Sequence, residues 1–247
     1  MARPHNIIAV IVIVATLAVL ISLGNWQMRR LAWKEDLIAR VSDRMQSAPL
    51  RLAGIDMAGL DAAAYLEANE YRPVTLEGRF LSGATVRVYT VLSDPKGQLQ
   101  GPGYWVLTPL ETEYGQTVFI NRGFVPFDDN VEYPRPPGGI VQVSGPLRSP
   151  ERGNFMTPEP DIQERIWYIR NPAGIAVAMS LDGEVLPFFI DADATLTPEG
   201  GLPQAGETRT VFTNSHLQYA ITWYGLAAAL AGVCAVYILR RQNSTAA

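Results

Sequence analysis

Histidine and cysteine are almost missing from this chain of 247 residues: His5, His216 and Cys234 are all it has. The stretch from Asn25 to Ser215 holds neither type. That absence removes the side chains that most often ligate metals, shuttle protons near neutral pH or supply thiolate nucleophiles. An ordinary metalloenzyme or a Ser/Cys–His hydrolase is not expected in that stretch, and a single cysteine forbids an intrachain disulfide. The two ends lack acid. All 24 carboxylates and 17 of the 20 basic side chains fall between Asn25 and Thr213, leaving that stretch seven charges negative. A nucleic-acid partner is therefore not expected. Phosphate-cradling glycine loops and repeats of solenoid length are also missing.

Two long uncharged runs are present. Ile7 to Leu23 reads IIAVIVIVATLAVLISL and Ile221 to Leu239 reads ITWYGLAAALAGVCAVYIL, each long enough to cross a hydrocarbon core. The first exceeds the apolar stretch of a secretory signal, although Ser22-Leu23-Gly24 resembles a small-x-small cleavage site, and it is read as an uncleaved anchor. Nothing like a mitochondrial transit peptide precedes it, which points to a bacterial inner membrane. Cys234 sits inside the second run and reads as a small buried apolar side chain. Two spans put both ends of the chain on one side and some 190 residues, enough for one domain, on the other. The basic residues divide over which side that is: Arg3, Arg240 and Arg241 favour cytoplasmic ends, whereas Arg29, Arg30, Lys34 and Arg40 favour a cytoplasmic domain.

After the first run, Trp26, Arg30, Trp33, Leu37 and Val41 recur at three- and four-residue steps, so the helix continues to about Met45 and Pro49 ends it. A short helix is expected over Leu60 to Ala68. From Tyr71 the pattern changes to short runs rich in β-branched and aromatic residues: YRPVTLEGRF, ATVRVYTVL, GYWVLTPLE, TVFINRG, IVQVSGPLR, RIWYIR and VLPFFIDA. These are seven expected strands. Asn171-Pro172 opens an expected helix to Leu181. Asp128–Gly139 and Thr195–Thr208 read as surface loops, Asn121-Arg122-Gly123 and Gly101-Pro102-Gly103 as turns, and Asp191 and Asp193 as solvated turn residues. The fold class is a membrane α+β protein: two transmembrane helices flank one β-rich extramembrane domain of about seven strands with one or two short helices. Sandwich and partly closed barrel both fit.

The candidate site is at the start of the second span. On a helix, His216, Tyr219, Ala220 and Trp223 share one face at headgroup depth. A neutral imidazole there can ligate a metal or a haem iron. The outer end of the first span offers Trp26, Gln27, Met28, Arg29 and Arg30 at the same depth. Packed together, the spans would give aromatic walls for a flat macrocycle and guanidiniums for its carboxylates. The competing reading is an interfacial aromatic belt with snorkelling arginines. Gly225 with Ala229, and Ala228 with Gly232, are small-xxx-small pairs that permit close packing of helices.

Five strings in order, LGNWQMRRLAWKEDLIARV, EYRPVTLEGRF, GYWVLTPLETEYGQTVFINRGFVP, VQVSGPLRSPERGNF and HLQYAITWYGLA, resemble the Surfeit-locus cytochrome c oxidase assembly factors over nearly the whole chain. The family commonly has Trp where this chain has Phe124, which keeps an aromatic. The resemblance implies a non-enzymatic assembly factor for a haem–copper terminal oxidase, with its main domain outside the membrane. It implies haem a as a transiently held cofactor and His216 as its iron ligand; the residues read above as lying around it are Tyr219, Trp223, Trp26, Arg29 and Arg30. The implied partners are the oxidase catalytic subunit, haem a synthase and membrane lipid. The expected segments are 1–24 as the first transmembrane helix, 25–48 as its extension, 49–213 as a periplasmic β-rich domain, 214–241 as the second transmembrane helix and 242–247 as a cytoplasmic tail. His5 would lie across the bilayer from His216, leaving an iron with one imidazole from this chain and a cap of water, a methionine such as Met28 or a residue from a partner. The runner-up function is a cofactor-free scaffold that stabilises an oxidase subunit during assembly.

Overall fold

The computed structural model describes residues 4–52, 54, 61–127, 135–208 and 214–245, without the side chains of 4–6 and 241–245. The chain divides into two compact units, Met1–Arg40 with Thr210–Ala247, and Val41–Arg209.

The first unit is a pair of helices. Helix α1 runs unbroken over Pro4–Gln46, its last turn belonging to the second unit, and the final helix of the chain runs over His216–Thr245. Both are long and apolar enough to cross a membrane. In α1 the partly or fully buried positions are Ile13, Leu17, Leu20, Leu23, Gly24, Gln27, Leu31 and Lys34, followed toward its end by Leu37, Ile38, Val41, Arg44 and Met45; in the final helix they are His216, Ala220, Trp223, Ala227, Leu230 and Cys234. Steps of four and three residues on both helices mark the seam of a coiled-coil-like pair. The helices approach closely at Gly24, where a Cβ would stand 2.5 Å from Tyr224 Cε1. Gly225, Ala228, Ala229 and Gly232 are exposed on the far face, so the small-xxx-small pairs, which permit close packing, are not used between these two helices. The heptad register turns them outward and gives the close contact to Gly24 instead.

The second unit is β-rich. Its elements are β1 (Leu50–Arg51), α2 (Ala62–Asn69), β2 (Pro73–Phe80), β3 (Val86–Leu92), β4 (Gly101–Thr112), β5 (Gln116–Pro126), β6 (Val141–Arg148), β7 (Ile166–Trp167), α3 (Pro172–Ala178) and β8 (Glu184–Asp191); the final helix is α4. All seven expected runs contain strands, although RIWYIR yields only two residues. Asp61 caps α2, its carboxylate accepting from the N–H groups of Ala63 and Ala64 at 3.0 and 3.2 Å. Asn171 caps α3 by accepting from Gly174 N–H at 3.3 Å, with Pro172 in the first turn.

The sheet order is β1-β2-β6-β8-β5-β4-β3-β7, and β2 also pairs with β4 through Gly78–Thr112 and Phe80–Leu110. That pairing closes β2, β6, β8, β5 and β4 into a barrel, which decides between the two β architectures left open by the sequence. Val74, Leu76, Leu110, Val118, Ile120, Val143, Leu147, Phe188 and Ile190 fill its interior. A second core lies outside, where Trp105, Phe119, Phe124 and Phe189 meet Trp167, Ile175 and Ala176. Successive residues on a strand face opposite sides, so β4 and β5, covered on both faces, are buried nearly end to end.

Several expected surface features are interior. Asn121-Arg122-Gly123 is not a turn; it lies within β5, where Asn121 is 4% and Arg122 2% exposed. Gly123 has φ +130° and no room for a side chain, since a Cβ would meet Gln204 O at 2.3 Å. Gly101-Pro102-Gly103 opens β4 rather than turning. Gln204 to Thr208 is not a surface excursion. Gln204 exchanges backbone hydrogen bonds with Phe124, and the buried Glu207 carboxylate accepts from Lys96 and Gly97 N–H at 2.8 and 2.7 Å. The expected Asp128–Gly139 loop is described only from 135 onward. Asp193 caps a single 3₁₀ turn at the surface, as a turn residue should. Asp191, by contrast, is buried, and accepts from Asn121 Nδ2 (2.7 Å), Arg148 Nη1 (3.1 Å), Thr208 Oγ1 (3.1 Å) and Arg170 Nη1 (3.4 Å). This carboxylate ties β5, β6 and β8 together at one end of the barrel. Burial holds the nearby strand residue Arg122 down at about 10.

Candidate functional site

The helix pair carries the sequence-predicted site, and its geometry follows from the heptad register. Asn214 and Ser215 start α4: Asn214 Oδ1 accepts from His216 N–H at 3.4 Å and Ser215 O from Tyr219 N–H at 3.2 Å. His216 is thereby the first residue of the helix and the outermost residue of its seam. Across the seam stands Gln27, a buried polar side chain with 8% exposure. Gln27 Oε1 lies 2.8 Å from His216 Nδ1. An amide oxygen accepts and cannot donate, so Nδ1 carries the proton, and in the neutral ring Nε2 keeps its lone pair. Among the described residues Nε2 has no hydrogen-bond partner. The imidazole is thus turned toward α1 across the seam.

A second polar pair lies on one flank of the same seam. Tyr224 Oη donates to Asn25 Oδ1 at 2.7 Å, while its ring covers Gly24. With 3.6 residues per turn and antiparallel helices, this contact fixes which way the other side chains face. Met28 falls on the Tyr224 flank. Trp26, Arg30 and Trp33 on α1 and Tyr219 on α4 fall on the opposite one, with Trp223 at its margin. Trp26 and Trp33 are each 47% exposed and Tyr219 is 54% exposed. The Arg30 guanidinium lies over the Trp33 ring, 4.7 Å from its centroid, a cation–π contact. Arg29 is exposed further round α1.

The structure therefore joins His216 and Trp223 on the seam and puts Trp26, Arg30 and Tyr219 on one open flank beside it. It leaves Arg29 to the side and Met28 on the other flank. The walls form an exposed aromatic strip with its arginine at the outer end, not an enclosed cleft. His5 lies 22 residues before Gln27 on the unbroken α1, about 33 Å away at 1.5 Å per residue. Sequence reasoning placed Gln27 at this depth but gave it no role. The signal was available: Gln27 continues the 13, 17, 20, 24 spacing that defines the seam.

No second cluster of comparable chemistry occurs among the described residues, where no three His, Cys, Asp or Glu side chains gather in a way that could hold a metal ion. An open depression of about 310 Å³ beside α3, lined by Asn154, Glu159, Trp167, Tyr168 and Asn171, has one carboxylate and no imidazole.

Comparison with known proteins covers both helices of the site and the barrel between them. Residues 14–228 match the model of the SURF1 family. The chain is similar to Surfeit locus protein 1 of Gallus gallus, 35% identical over 221 residues that make up 84% of this chain and 68% of the relative. It is 34% identical to Surfeit locus protein 1 of Homo sapiens over 221 residues, 84% of this chain and 70% of the relative. A SURF1-like protein of Drosophila melanogaster is 30% identical over 221 residues, again 84% and 70%. A match that begins inside the first apolar helix, runs through the whole barrel and ends beyond Trp223 in the second spans every element described above: the chain belongs to the SURF1 family.

Proposed function

We propose that this member of a family of oxidase assembly factors binds haem a at the outer end of its helix pair through His216 and aids its delivery to the catalytic subunit of a haem–copper terminal oxidase. The observation that carries the reading is the His216–Gln27 contact, which leaves an imidazole nitrogen with its lone pair available. The donor set fits a haem iron: a neutral imidazole engaged at Nδ1 is the form that ligates through Nε2. Trp26, Tyr219 and Trp223 supply apolar surface for a macrocycle. Arg30, already held over Trp33, is suited to pair with a propionate, and Arg29 offers a second guanidinium. The haem is cargo, and one imidazole from this chain suits a carrier that has to release it.

On this reading the protein is a two-pass protein of a bacterial inner membrane with the barrel in the periplasm, and it is not an enzyme. Haem a synthase is the natural upstream partner and membrane lipid surrounds the helices. The test is an optical spectrum of the protein purified from haem a-producing cells, alongside His216→Ala. The parent should carry haem and the variant should lose it while the barrel stays folded. Unchanged haem content in His216→Ala would refute the reading. A cofactor-free scaffold is the second reading, and what favours it is exposed apolar side chains on the barrel unit, Phe155 at 94%, Met156 at 72% and Val177 at 82%. Parent protein free of haem that still captures the oxidase subunit would support that scaffold.

A further inference from the structure

Gln27 occupies a seam position between Gly24 and Leu31, on a seam that presents Ile13, Leu17, Leu20 and Leu23 before it and Lys34 after it. A buried amide among apolar side chains costs stability unless its hydrogen bonding is satisfied. Its Oε1 is engaged by His216 Nδ1, from a residue 189 positions away in sequence. The imidazole is itself half-buried and begins its helix, so the ring has one strong partner that fixes both its plane and the nitrogen that bears the proton. The neighbouring polar pair, Asn25 with Tyr224, uses a different ring and leaves the imidazole to Gln27.

We propose that Gln27 is the positioning residue for His216: by accepting from Nδ1–H it holds the ring in one tautomer, so that Nε2 is the nitrogen offered to iron and is made more electron-rich. The inference rests on the reading of His216 as the iron ligand, and it adds the group that acts through that ligand. Partners of this kind fix the tautomer and orientation of metal-bound imidazoles and raise their basicity.

The test uses the full chain in detergent with ¹⁵N-labelled histidine. A His5→Gln background leaves one imidazole to observe, at a pH where it is neutral. Three variants are compared with the parent: Gln27→Leu removes the acceptor at similar size, Gln27→Glu strengthens it, and His216→Ala removes the ligand. Without haem, the parent should show the proton on Nδ1, Gln27→Leu should shift population to the other tautomer, and Gln27→Glu should retain the parent pattern. With iron protoporphyrin IX as the probe, Gln27→Leu should bind about 10–100-fold more weakly and Gln27→Glu should restore binding. The iron–imidazole stretching band of the reduced complex should rise in Gln27→Glu and fall in Gln27→Leu, an ordering that a packing defect does not produce. A parent with its proton on Nε2, or a Gln27→Leu protein with unchanged tautomer, affinity and stretching band, overturns the inference. If His216→Ala loses haem while the Gln27 variants match the parent, this inference alone falls. If His216→Ala keeps its haem, the iron-ligand reading falls and the proposed role toward iron falls with it, while the haem-free spectra still decide whether Gln27 sets the tautomer.

Discussion

Replacing Asp191 by Ala should be among the most damaging single changes to the barrel. The side chain of Asp191 is 5% exposed and accepts from Asn121, Arg148, Arg170 and Thr208. The loss is unequal among these partners. Arg170 keeps two hydrogen bonds to Glu151, at 2.8 and 2.5 Å. Arg148, only 14% exposed, would keep a carboxylate at 3.9 Å in Glu70, too long for a hydrogen bond, a long 3.4 Å hydrogen bond from Nη2 to Tyr71 Oη, and the Tyr71 ring 4.4 Å away. Removing one partner of a buried ion pair costs about 3–5 kcal/mol, and the stranded Asn121 amide adds to that end of the range. Domains are stable by roughly 5–15 kcal/mol, so Asp191→Ala should unfold at much lower denaturant. The assay is urea unfolding of the full chain in detergent, followed through Trp105 and Trp167. The cycle with Arg148→Met should show coupling of about 1 kcal/mol or more. A single-variant cost below about 1 kcal/mol, with additive behaviour in the double variant, would refute the reasoning.

Three further outcomes follow from the same structure. Gly123→Ala should destabilise the barrel by about 2 kcal/mol or more, because the added Cβ meets the Gln204 backbone at a positive φ; a melting temperature equal to the parent's would contradict this. Glu207→Gln weakens the acceptor for Lys96 and Gly97 N–H and should cost about 1–3 kcal/mol, seen as faster tryptic cleavage at Lys96; unchanged cleavage would rule the contact out as a staple. Burial, opposed in part by Arg72, raises Tyr65 above 10.0. Its folded form therefore resists ionisation more than its unfolded form, so this share of stability is intact below pH 10 and is lost as pH rises beyond it. Tyr65→Phe should flatten the alkaline limb of the stability profile, and an unchanged limb would exclude the effect.

The strands were legible because alternation and β-branched content survive even where both faces are covered. Which strands become neighbours was not. Closure depends on three residue pairs, Gly78 to Phe80 against Leu110 to Thr112, and on Gly78, where a Cβ would overlap Leu110 Cδ2 at 2.2 Å. Asn121-Arg122-Gly123 misled because turn chemistry and a buried bulge call for the same residue types, and the β4–β5 register shifts here, between Trp105 opposite Phe124 and Leu107 opposite Asn121. What separates them is a carboxylate 70 positions away. The helix site was half legible. His216 stood out by the scarcity of its kind, whereas Gln27 looked ordinary beside Trp26 and Arg29. The small-residue pairs on α4 permitted close packing without naming a partner, and the register of α1 does not use them, since orientation is set by the full seam and not by any one motif.

The bond between Gln27 and His216 also has a consequence in time. One partner leaves the ribosome near the start of synthesis and the other only after the last barrel strand, Glu184–Asp191, has been made. A nascent chain stalled after the barrel would own a complete β domain and half of an imidazole pair. The Gln27–His216 pair can therefore form only in molecules whose synthesis has passed His216.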